Sequence, residues 1–185
     1  MAILEVLTYP NPLLKKVSEA VEFAGDGSLD DETKLLIEDL LETMYSFPGC
    51  VGIASPQTGN LKRIVIIDAS RNRKPVPNSG RQVMINPRVV EASGAVLGRE
   101  GCLSLPDFTA NVVRAQHVTV HFHDERGEER ELKASDFEAR VALHEMDHLD
   151  GLLFLDRVSS LKTDVFRRKR YAHPPQKAAT PGEDA

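Results

Sequence analysis

The chain has 185 residues, 41% of them hydrophobic, which is enough for a single domain with a sizeable core. Its 23 basic and 28 acidic residues leave a net charge of −5, and this balance argues against a general nucleic-acid-binding protein. Only two cysteines occur, Cys50 and Cys102, so the sequence contains no disulfide framework and suits a reducing compartment.

The N-terminal segment, MAILEVLTYPNPLL, predicts neither export nor membrane insertion. It lacks a basic stretch, a long apolar run and a small-residue cleavage site. We therefore expect a cytoplasmic protein that makes no membrane contact.

The first long helix is predicted from Asp30 to about Tyr45, where apolar residues recur at helical spacing behind an acidic first turn. Pro48-Gly49 ends this helix and begins a loop of small residues that runs to Gly59. Such a loop lets the backbone approach a substrate closely, and Gln57 within it offers an amide donor. The simpler alternatives are a scaffold helix and a loop-capping role for Gln57.

Three β-branched runs predict strands, at residues 61–68, 83–90 and 111–123. The turn at 124–127 joins the third run to 129–132, so we expect these two segments to form a hairpin. Residues 71–81 are rich in proline, asparagine, glycine and basic side chains, which predicts an exposed loop without chemistry. The sheet is expected to be largely antiparallel.

A second helix is predicted from Ser135 to Gly151. Ser135 and Glu138 have the spacing of a capping box, and Gly151 is a natural C-terminal stop. The helix is apolar on nearly all sides, so we expect it to be buried. Strands clustered between an early helix and this late one predict an α+β fold, with largely antiparallel sheets packed around a central buried helix carrying HExxH.

Three ionisable residues of this helix predict a metal site. His144 and His148 lie one turn apart, so both imidazoles project from the same face and can bind one ion. Glu145, about 100° round the helix, can reach a water at that ion. Unpaired ionisable groups in a core are costly, and a bound cation satisfies all three at once.

A hydrolytic site of this kind has three protein ligands and one open position, so a third ligand is required. Downstream, the position that would hold a metzincin's third histidine is Phe154. Upstream, Cys102 directly follows a glycine, and a thiolate is a strong ligand for Fe²⁺ or Zn²⁺, so we predict Cys102. The alternatives lie in an alternating segment that favours solvated histidines, namely His117, His121 and His123.

Beyond Gly151, a short helix is predicted from about Ser160 to Tyr171, and it ends in the basic run 167–170. Cations are favourable at a helix C-terminus, and a partner site is the alternative explanation of this run. Residues 172–185 have the composition of a disordered tail, so we expect one catalytic domain at 1–171.

Three short motifs resemble those of the peptide deformylase family. They occur in the family's order, as CVGIASPQ at 50–57, EGCLS at 100–104 and HEMDH at 144–148. The resemblance covers about residues 3–171. Cys50 stands where the family usually has glycine and Ser55 where it usually has alanine, and neither departure removes a catalytic group.

The resemblance implies a metal-dependent hydrolase that removes the formyl group from the N-terminal formyl-methionine of newly synthesised proteins and releases formate. One divalent ion is then held by Cys102, His144 and His148. The family commonly uses Fe²⁺, and Zn²⁺, Ni²⁺ and Co²⁺ are compatible with the same ligands. Glu100 is expected to pair with an arginine, for which Arg114 is the matching position.

The implied mechanism assigns a role to each remaining group. Glu145 takes the proton of the attacking water and passes it to the departing amine. Gln57 and the backbone N–H of Leu103 stabilise the oxyanion, and Gly52 lets the substrate approach. Selectivity for methionine needs an apolar pocket, which we expect to be lined by Val51, Phe137 and Val141, with a core position as the alternative for the last two. A ribosome contact through the C-terminal basic helix would raise the local substrate concentration.

Two other classes of function remain open at this point. In a thiol hydrolase, Cys102 would be the nucleophile and His144 its base, and a chelator would leave activity intact. In a non-catalytic metal-binding or ribosome-associated module, the intact Glu145 would have no use.

Overall fold

The computed structural model describes residues 2–168, which form an α+β fold as the sequence predicts. The helices are α1 (Asp31–Ser46), α2 (Asp136–Leu149) and α3 (Leu161–Asp164). The strands are β1 (Gly52–Ala54), β2 (Ile64–Ile67), β3 (Gln82–Ser93), β4 (Val96–Cys102), β5 (Leu105–Arg114), β6 (His117–His123), β7 (Glu129–Ser135) and β8 (Val165–Arg167).

The strands form two sheets. A five-stranded sheet has the order β1-β2-β3-β6-β7, and a three-stranded sheet has the order β4-β5-β8. Every neighbouring pair of strands is antiparallel, which confirms the expected sheet type. Strands β6 and β7 pair with His123 opposite Glu129, so the predicted hairpin is confirmed as well.

The five-stranded sheet is covered by a helix on each face. In β2, Ile64 and Ile66 pack in one hydrophobic cluster with residues of α1, whereas Val65 and Ile67 pack in another with residues of α2. Adjacent side chains of a strand point to opposite faces, so the sheet separates the two helices. A third cluster contains Cys102 and joins the three-stranded sheet to Leu153 and Phe154.

The expectation of one strand over 111–123 is wrong. Strand β5 ends at Arg114 in the three-stranded sheet, and β6 begins at His117 in the other sheet. Val112 and Val118 consequently pack in different hydrophobic clusters. The alternation of apolar residues continues across the break because both strands have one buried face, so periodicity alone does not mark the boundary.

Helix α2 is buried as predicted, with eleven of its fourteen residues buried, and Gly151 follows it with a positive φ of 69°. The predicted capping box is wrong, since the Ser135 side chain makes no capping hydrogen bond to the described helix. Glu138 instead accepts hydrogen bonds from the Ser79 backbone N–H at 2.6 Å and from its hydroxyl at 3.2 Å. The carboxylate thus holds a loop against the helix.

The predicted helix from Ser160 to Tyr171 is also wrong over its described part. Helix α3 ends at Asp164, and the chain continues as β8, which pairs with β5 by placing Arg167 opposite Phe108. Backbone hydrogen bonds to an existing sheet therefore replace the expected helical ones. The rest of the basic run and the expected tail at 172–185 lie outside the described residues.

An N-terminal strap, residues 7–9, ties two of the motifs together. The Leu7 N–H donates to the Gln57 carbonyl at 2.7 Å, and the Tyr9 N–H donates to the Ser104 carbonyl at 2.9 Å. The strap therefore joins the ends of the first and second motifs.

Candidate active site

Three metal-ligating side chains meet where the end of β4 approaches α2. Cys102 is the last residue of β4, and His144 and His148 lie on α2. One ligand atom from each lies within 4.8 Å of the others, and all three residues are buried. The Cys102 Sγ lies 3.3 Å from His148 Nε2. The structure therefore brings the three expected metal ligands together.

The three competing histidines lie on β6. His117 Nδ1 lies 2.9 Å from the hydroxyl of Ser135, and His121 Nε2 lies 3.0 Å from a carboxylate oxygen of Glu131. Within residues 2–168, neither these two nor His123 belongs to a group that could hold a metal ion.

A buried carboxylate orients His144. Glu100 Oε2 lies 2.8 Å from His144 Nδ1, which leaves Nε2 as the atom free for a metal. Arg114 donates to both oxygens of Glu100, at 2.8 and 3.0 Å, so the implied Glu100–Arg114 pair is confirmed. Burial alone would raise the pKa of Glu100, but the hydrogen bonds from Arg114 and His144 hold it well below its ordinary value.

Arg140, one turn before His144 on α2, also supports Glu100. Its Nη1 donates to Glu100 Oε1 at 2.8 Å, and its guanidinium donates to the backbone carbonyls of Val96 and Val112. The side chain thus ties α2 to the two strands beside it. Sequence reasoning misses this contact, although an arginine in an otherwise apolar helix is a signal for it.

Asp147, inside the third motif, closes the network at its other end. Its carboxylate accepts hydrogen bonds from Arg114 and from Arg157, whose Nη2 lies 2.6 Å from Oδ1. Arg114 therefore bridges two buried carboxylates. Sequence reasoning misses this role too, and the signal was an acid in a buried helix that needs a partner.

The electrostatics of the cluster favour the ligand form of the cysteine. Burial by itself raises the pKa of the Cys102 thiol, but His148 and His144 outweigh this and hold it well below its ordinary value. Burial lowers the pKa of His144, yet Cys102 and Glu100 raise it well above the usual range. A thiolate with two buried imidazoles is a donor set that suits Fe²⁺ or Zn²⁺, so the residues present fit a divalent metal ion.

Glu145 lies beside the cluster and packs against Gly52. Burial, only partly offset by His144 and His148, raises the pKa of Glu145 to about 7. Its Oε2 has no hydrogen-bond partner within the described residues. A Cβ on Gly52 would lie 2.6 Å from Glu145 Oε1, so only glycine leaves room for the carboxylate. Glu145 is thus a carboxylate that can exchange a proton near neutral pH.

Gln57 has contacts on both sides of its amide group. Its Oε1 accepts a hydrogen bond from the Ala54 N–H at 2.9 Å, which is a loop-capping contact. Its Nε2 lies 3.4 Å from Cys102 Sγ and 3.2 Å from Ser104 Oγ. The capping bond therefore fixes the side chain so that its donor faces the cluster.

A cavity of about 420 Å³ opens onto these groups. Its lining includes seven of the expected site residues: Val51, Gly52, Gln57, Cys102, Leu103, His144 and Glu145. Phe137 and Val141 do not line it; both pack in the core cluster between α2 and the five-stranded sheet. Because α2 is buried on nearly all sides, helical spacing does not distinguish its cavity face from its sheet face. That these two residues line a methionine pocket stays a prediction, beside the core position in which the structure places them.

Three lining residues were not expected at the catalytic cavity. Asn72 and Arg73 belong to the loop at 71–81, and Arg168 follows β8. The loop at 71–81 thus contributes two residues to the cavity lining, which the sequence does not predict. Its composition gave no signal of the tertiary contact.

The two departures in the first motif have local roles. The Cys50 thiol donates to the Gly52 carbonyl with a 3.1 Å separation, and burial raises its pKa to about 12. The Ser55 hydroxyl donates to the Asn60 carbonyl at 2.7 Å. Both side chains thus hydrogen-bond to the loop that carries Gln57.

Comparison with known proteins places this geometry in a family. The family model described as polypeptide deformylase matches residues 3–164. A peptide deformylase from Thermodesulfovibrio yellowstonii is 41% identical over 169 residues, which is 91% of this chain and 97% of that protein. Peptide deformylase 1 from Vibrio vulnificus is 42% identical over 174 residues, 94% of this chain and 96% of that protein.

Solved structures give the same result. A crystal structure of a peptide deformylase from Legionella pneumophila aligns with a TM-score of 0.76 at 36% identity, covering 87% of this chain and 89% of that one. A Met-Ala-Ser-bound class I type b peptide deformylase from Acinetobacter baumannii aligns with a TM-score of 0.77 at 34% identity. That alignment covers 85% of this chain and 100% of the other.

Proposed function

Because the chain belongs to the peptide deformylase family, we propose that the cavity beside Cys102 is where it removes the formyl group from newly synthesised proteins. The chain is a hydrolase whose substrate is an N-terminal formyl-methionine and whose products are formate and a free N-terminus. One observation carries the proposed site: a buried cysteine and two histidines lie within 4.8 Å of one another beside Glu145.

The family and the cluster support a bound metal ion. We propose that Cys102, His144 and His148 hold it, that Fe²⁺ is native, and that Zn²⁺, Ni²⁺ or Co²⁺ can replace it. When bound, such an ion supplies Lewis acidity and lowers the pKa of water towards neutrality. The ligand set offers a low-pKa thiolate and a His144 whose Nδ1 is already occupied by Glu100.

Glu145 is the proposed general base. Its Oε2, which has no hydrogen-bond partner within the described residues, can take the proton of the attacking water and pass it to the departing amine. Gln57 and the backbone N–H of Leu103 are the proposed donors to the oxyanion, and both residues line the cavity. Val51 and Gly52 form part of the wall against which the formyl-methionine lies.

Location and partners follow from the activity. Within residues 2–168, none of the helices combines the length and the apolar character needed to cross a bilayer. We propose a cytoplasmic enzyme with one catalytic domain at 1–171, which meets its substrate at the ribosome through the basic run that starts at Arg167. Truncation after Arg168 should weaken ribosome co-sedimentation at low salt while keeping β8, and equal co-sedimentation would contradict this contact.

The test of the proposed function is formate release from formyl-Met-Ala-Ser. We expect activity to disappear when a chelator removes the metal and to return, at different rates, when Fe²⁺, Co²⁺, Ni²⁺ or Zn²⁺ is added without oxygen. Cys102→Ser should retain less metal after dialysis, because a neutral hydroxyl is a poorer ligand than a thiolate. Full activity in the chelator would indicate a thiol hydrolase instead.

A further inference from the structure

Two arginines lie at the outer end of the catalytic cavity. Arg73 and Arg168 line the same cavity as Cys102 and Glu145, yet Arg73 is exposed and Arg168 only half-buried. The inner lining is buried, so the arginines lie where the cavity meets solvent. Within residues 2–168, neither guanidinium has a carboxylate oxygen within 4.0 Å or makes a side-chain hydrogen bond. The one carboxylate of the lining, Glu145, is only 6% exposed.

The backbone beside Arg168 is fixed by the last strand. The Arg168 N–H donates to the Asp107 carbonyl at 2.8 Å. Two residues earlier, Phe166 makes a cation–π contact with Arg99 of β4. The guanidinium carbon of Arg99 lies 3.7 Å from the centre of the Phe166 ring. The side chain of Arg168 then crosses the second motif, since a Cβ on Gly101 would lie 2.0 Å from Arg168 Nη2. The Arg168 guanidinium thus lies against Gly101, the residue before Cys102.

The backbone beside Arg73 is fixed by a different arginine. Arg71 Nε donates to the Cys50 carbonyl at 2.9 Å, and its guanidinium lies 4.5 Å from the centre of the Tyr45 ring. These contacts anchor the start of the loop against the first motif, and the Arg73 side chain itself has no hydrogen-bond or ion-pair partner among residues 2–168. Arg73 therefore follows a segment anchored to the first motif, and the Arg168 guanidinium lies against the second.

A peptide bound with its formyl end at the cluster must leave the cavity past this rim. Each extended residue spans about 3.3 Å, so the residues that follow methionine are those that reach the rim first. Guanidinium groups form charge-assisted hydrogen bonds with carboxylates, and paired cations on a protein of net charge −5 make a local attractive field for an anion.

We propose that Arg73 and Arg168 bind a carboxylate on the second or third residue of the substrate, so that acidic early sequences are deformylated preferentially. This proposal rests on the proposed function, because it takes the cavity as the site of the formyl-methionine. The recognised group is a peptide carboxylate, and the two arginines act as specificity residues.

The test compares peptides that differ only in charge. Formyl-Met-Ala-Asp-amide and formyl-Met-Ala-Asn-amide are nearly isosteric, and the terminal amide removes any other carboxylate. We expect kcat/KM for the Asp peptide to exceed that for the Asn peptide by about three- to tenfold at low salt, and the ratio to fall towards one in high salt. The pair formyl-Met-Asp-Ala-amide and formyl-Met-Asn-Ala-amide shows which position is read.

Variants assign the preference to the two arginines. Arg73→Gln and Arg168→Gln should each reduce the Asp/Asn ratio, and the double variant should bring it close to one. The matched control is Arg126→Gln, which removes the same charge from an exposed hairpin turn outside the cavity and should leave the ratio unchanged. Arg168→Glu should reverse the preference towards formyl-Met-Ala-Lys-amide.

Each outcome decides the proposal. An Asp/Asn ratio of one in the unmodified protein overturns it, and so does an equal loss of the ratio in Arg126→Gln, which would indicate a general effect of net charge. Formate release from none of the peptides would instead overturn the proposed function. Reversal by Arg168→Glu supports the proposal and shows at the same time that the variant is folded.

Discussion

The two ends of the catalytic cavity carry charge in opposite ways. Behind the inner end, outside the lining itself, Glu100 and Asp147 are buried and each is paired with more than one cation. At the outer end, Arg73 and Arg168 have no carboxylate within 4.0 Å among residues 2–168. A buried charge without a partner is costly, whereas a charge that touches water is not. The inner charges therefore fix geometry, and the outer ones are free for a ligand.

The largest expected effect is at the inner end, where a group acts in the reaction. Glu145→Gln removes the proposed base but keeps the shape of the side chain, so turnover should fall about 10²- to 10⁴-fold while metal content stays unchanged. Formate release and elemental analysis measure the two quantities. Glu138→Gln is the matched control, because Glu138 lies on the same helix and bonds to Ser79 outside the cavity. Turnover by Glu145→Gln equal to that of this control would contradict the mechanism.

The second prediction compares two arginines that share Asp147. Arg114→Met leaves two buried carboxylates short of a partner, so the free energy of unfolding should fall by about 3–5 kcal/mol. Arg157→Met should cost less than about 1 kcal/mol, because the Arg157 side chain is 46% exposed whereas that of Arg114 is 5% exposed. Denaturant unfolding measures both. Equal losses of unfolding free energy in the two variants would contradict this prediction, because the cost of removing the arginine would then not depend on its burial.

The third prediction moves Glu145 without changing its chemistry. In Gly52→Ala, the new Cβ would lie 2.6 Å from Glu145 Oε1, so the carboxylate must shift. A displacement of this kind should lower kcat by about 10- to 100-fold with little change in unfolding temperature. Gly25→Ala is the control, since a Cβ there has no neighbour within 4 Å. Unchanged kcat in Gly52→Ala would show that the position of Glu145 is not critical.

The smallest effect belongs to a solvent-screened carboxylate far from the cavity. Slight burial raises the pKa of Asp124, but hydrogen bonds from Arg130 and from the backbone of Arg126 and Glu128 outweigh it and lower that pKa. Because the pKa of Asp124 is lower in the folded protein than in the unfolded chain, where it is near 3.8, its ionised carboxylate stabilises the fold above that pH. The stabilisation is lost as the pH falls through the pKa of the folded protein. Asp124→Asn should cost less than about 1 kcal/mol at pH 7 and less still near pH 3. A cost that grows on acidification would contradict this.

The fold class, the antiparallel pairing and the hairpin could be predicted because each depends on local pattern. The break between β5 and β6 could not, since Ala115 and Gln116 carry no turn signal and the alternation resumes at Val118. The predicted C-terminal helix is too long for a related reason, because pairing with β5 draws residues 165–167 into a strand whatever their helix propensity.

Of the site, the sequence could supply the groups that share a helix or a motif. Helical spacing predicts that His144 and His148 meet, and it places Glu145 beside them. It does not predict the hydrogen bond from Arg140 to Glu100 or the close approach of Arg168 to Gly101, because these contacts join segments that are distant in sequence. Helical spacing does not decide whether Phe137 and Val141 face a substrate pocket or the core, because a helix buried on nearly all sides has no unique functional face.

The N-terminal strap at residues 7–9 makes activity a reporter of partial unfolding. Two backbone hydrogen bonds join it to the Gln57 and Ser104 carbonyls, and most of its side chains are partly or fully exposed. Segments with few buried contacts open at lower free energy than a core helix. Release of the strap would loosen the donor Gln57 and the turn after Cys102 while α2 stays folded. Loss of formate release should therefore precede loss of helical circular dichroism as urea is raised.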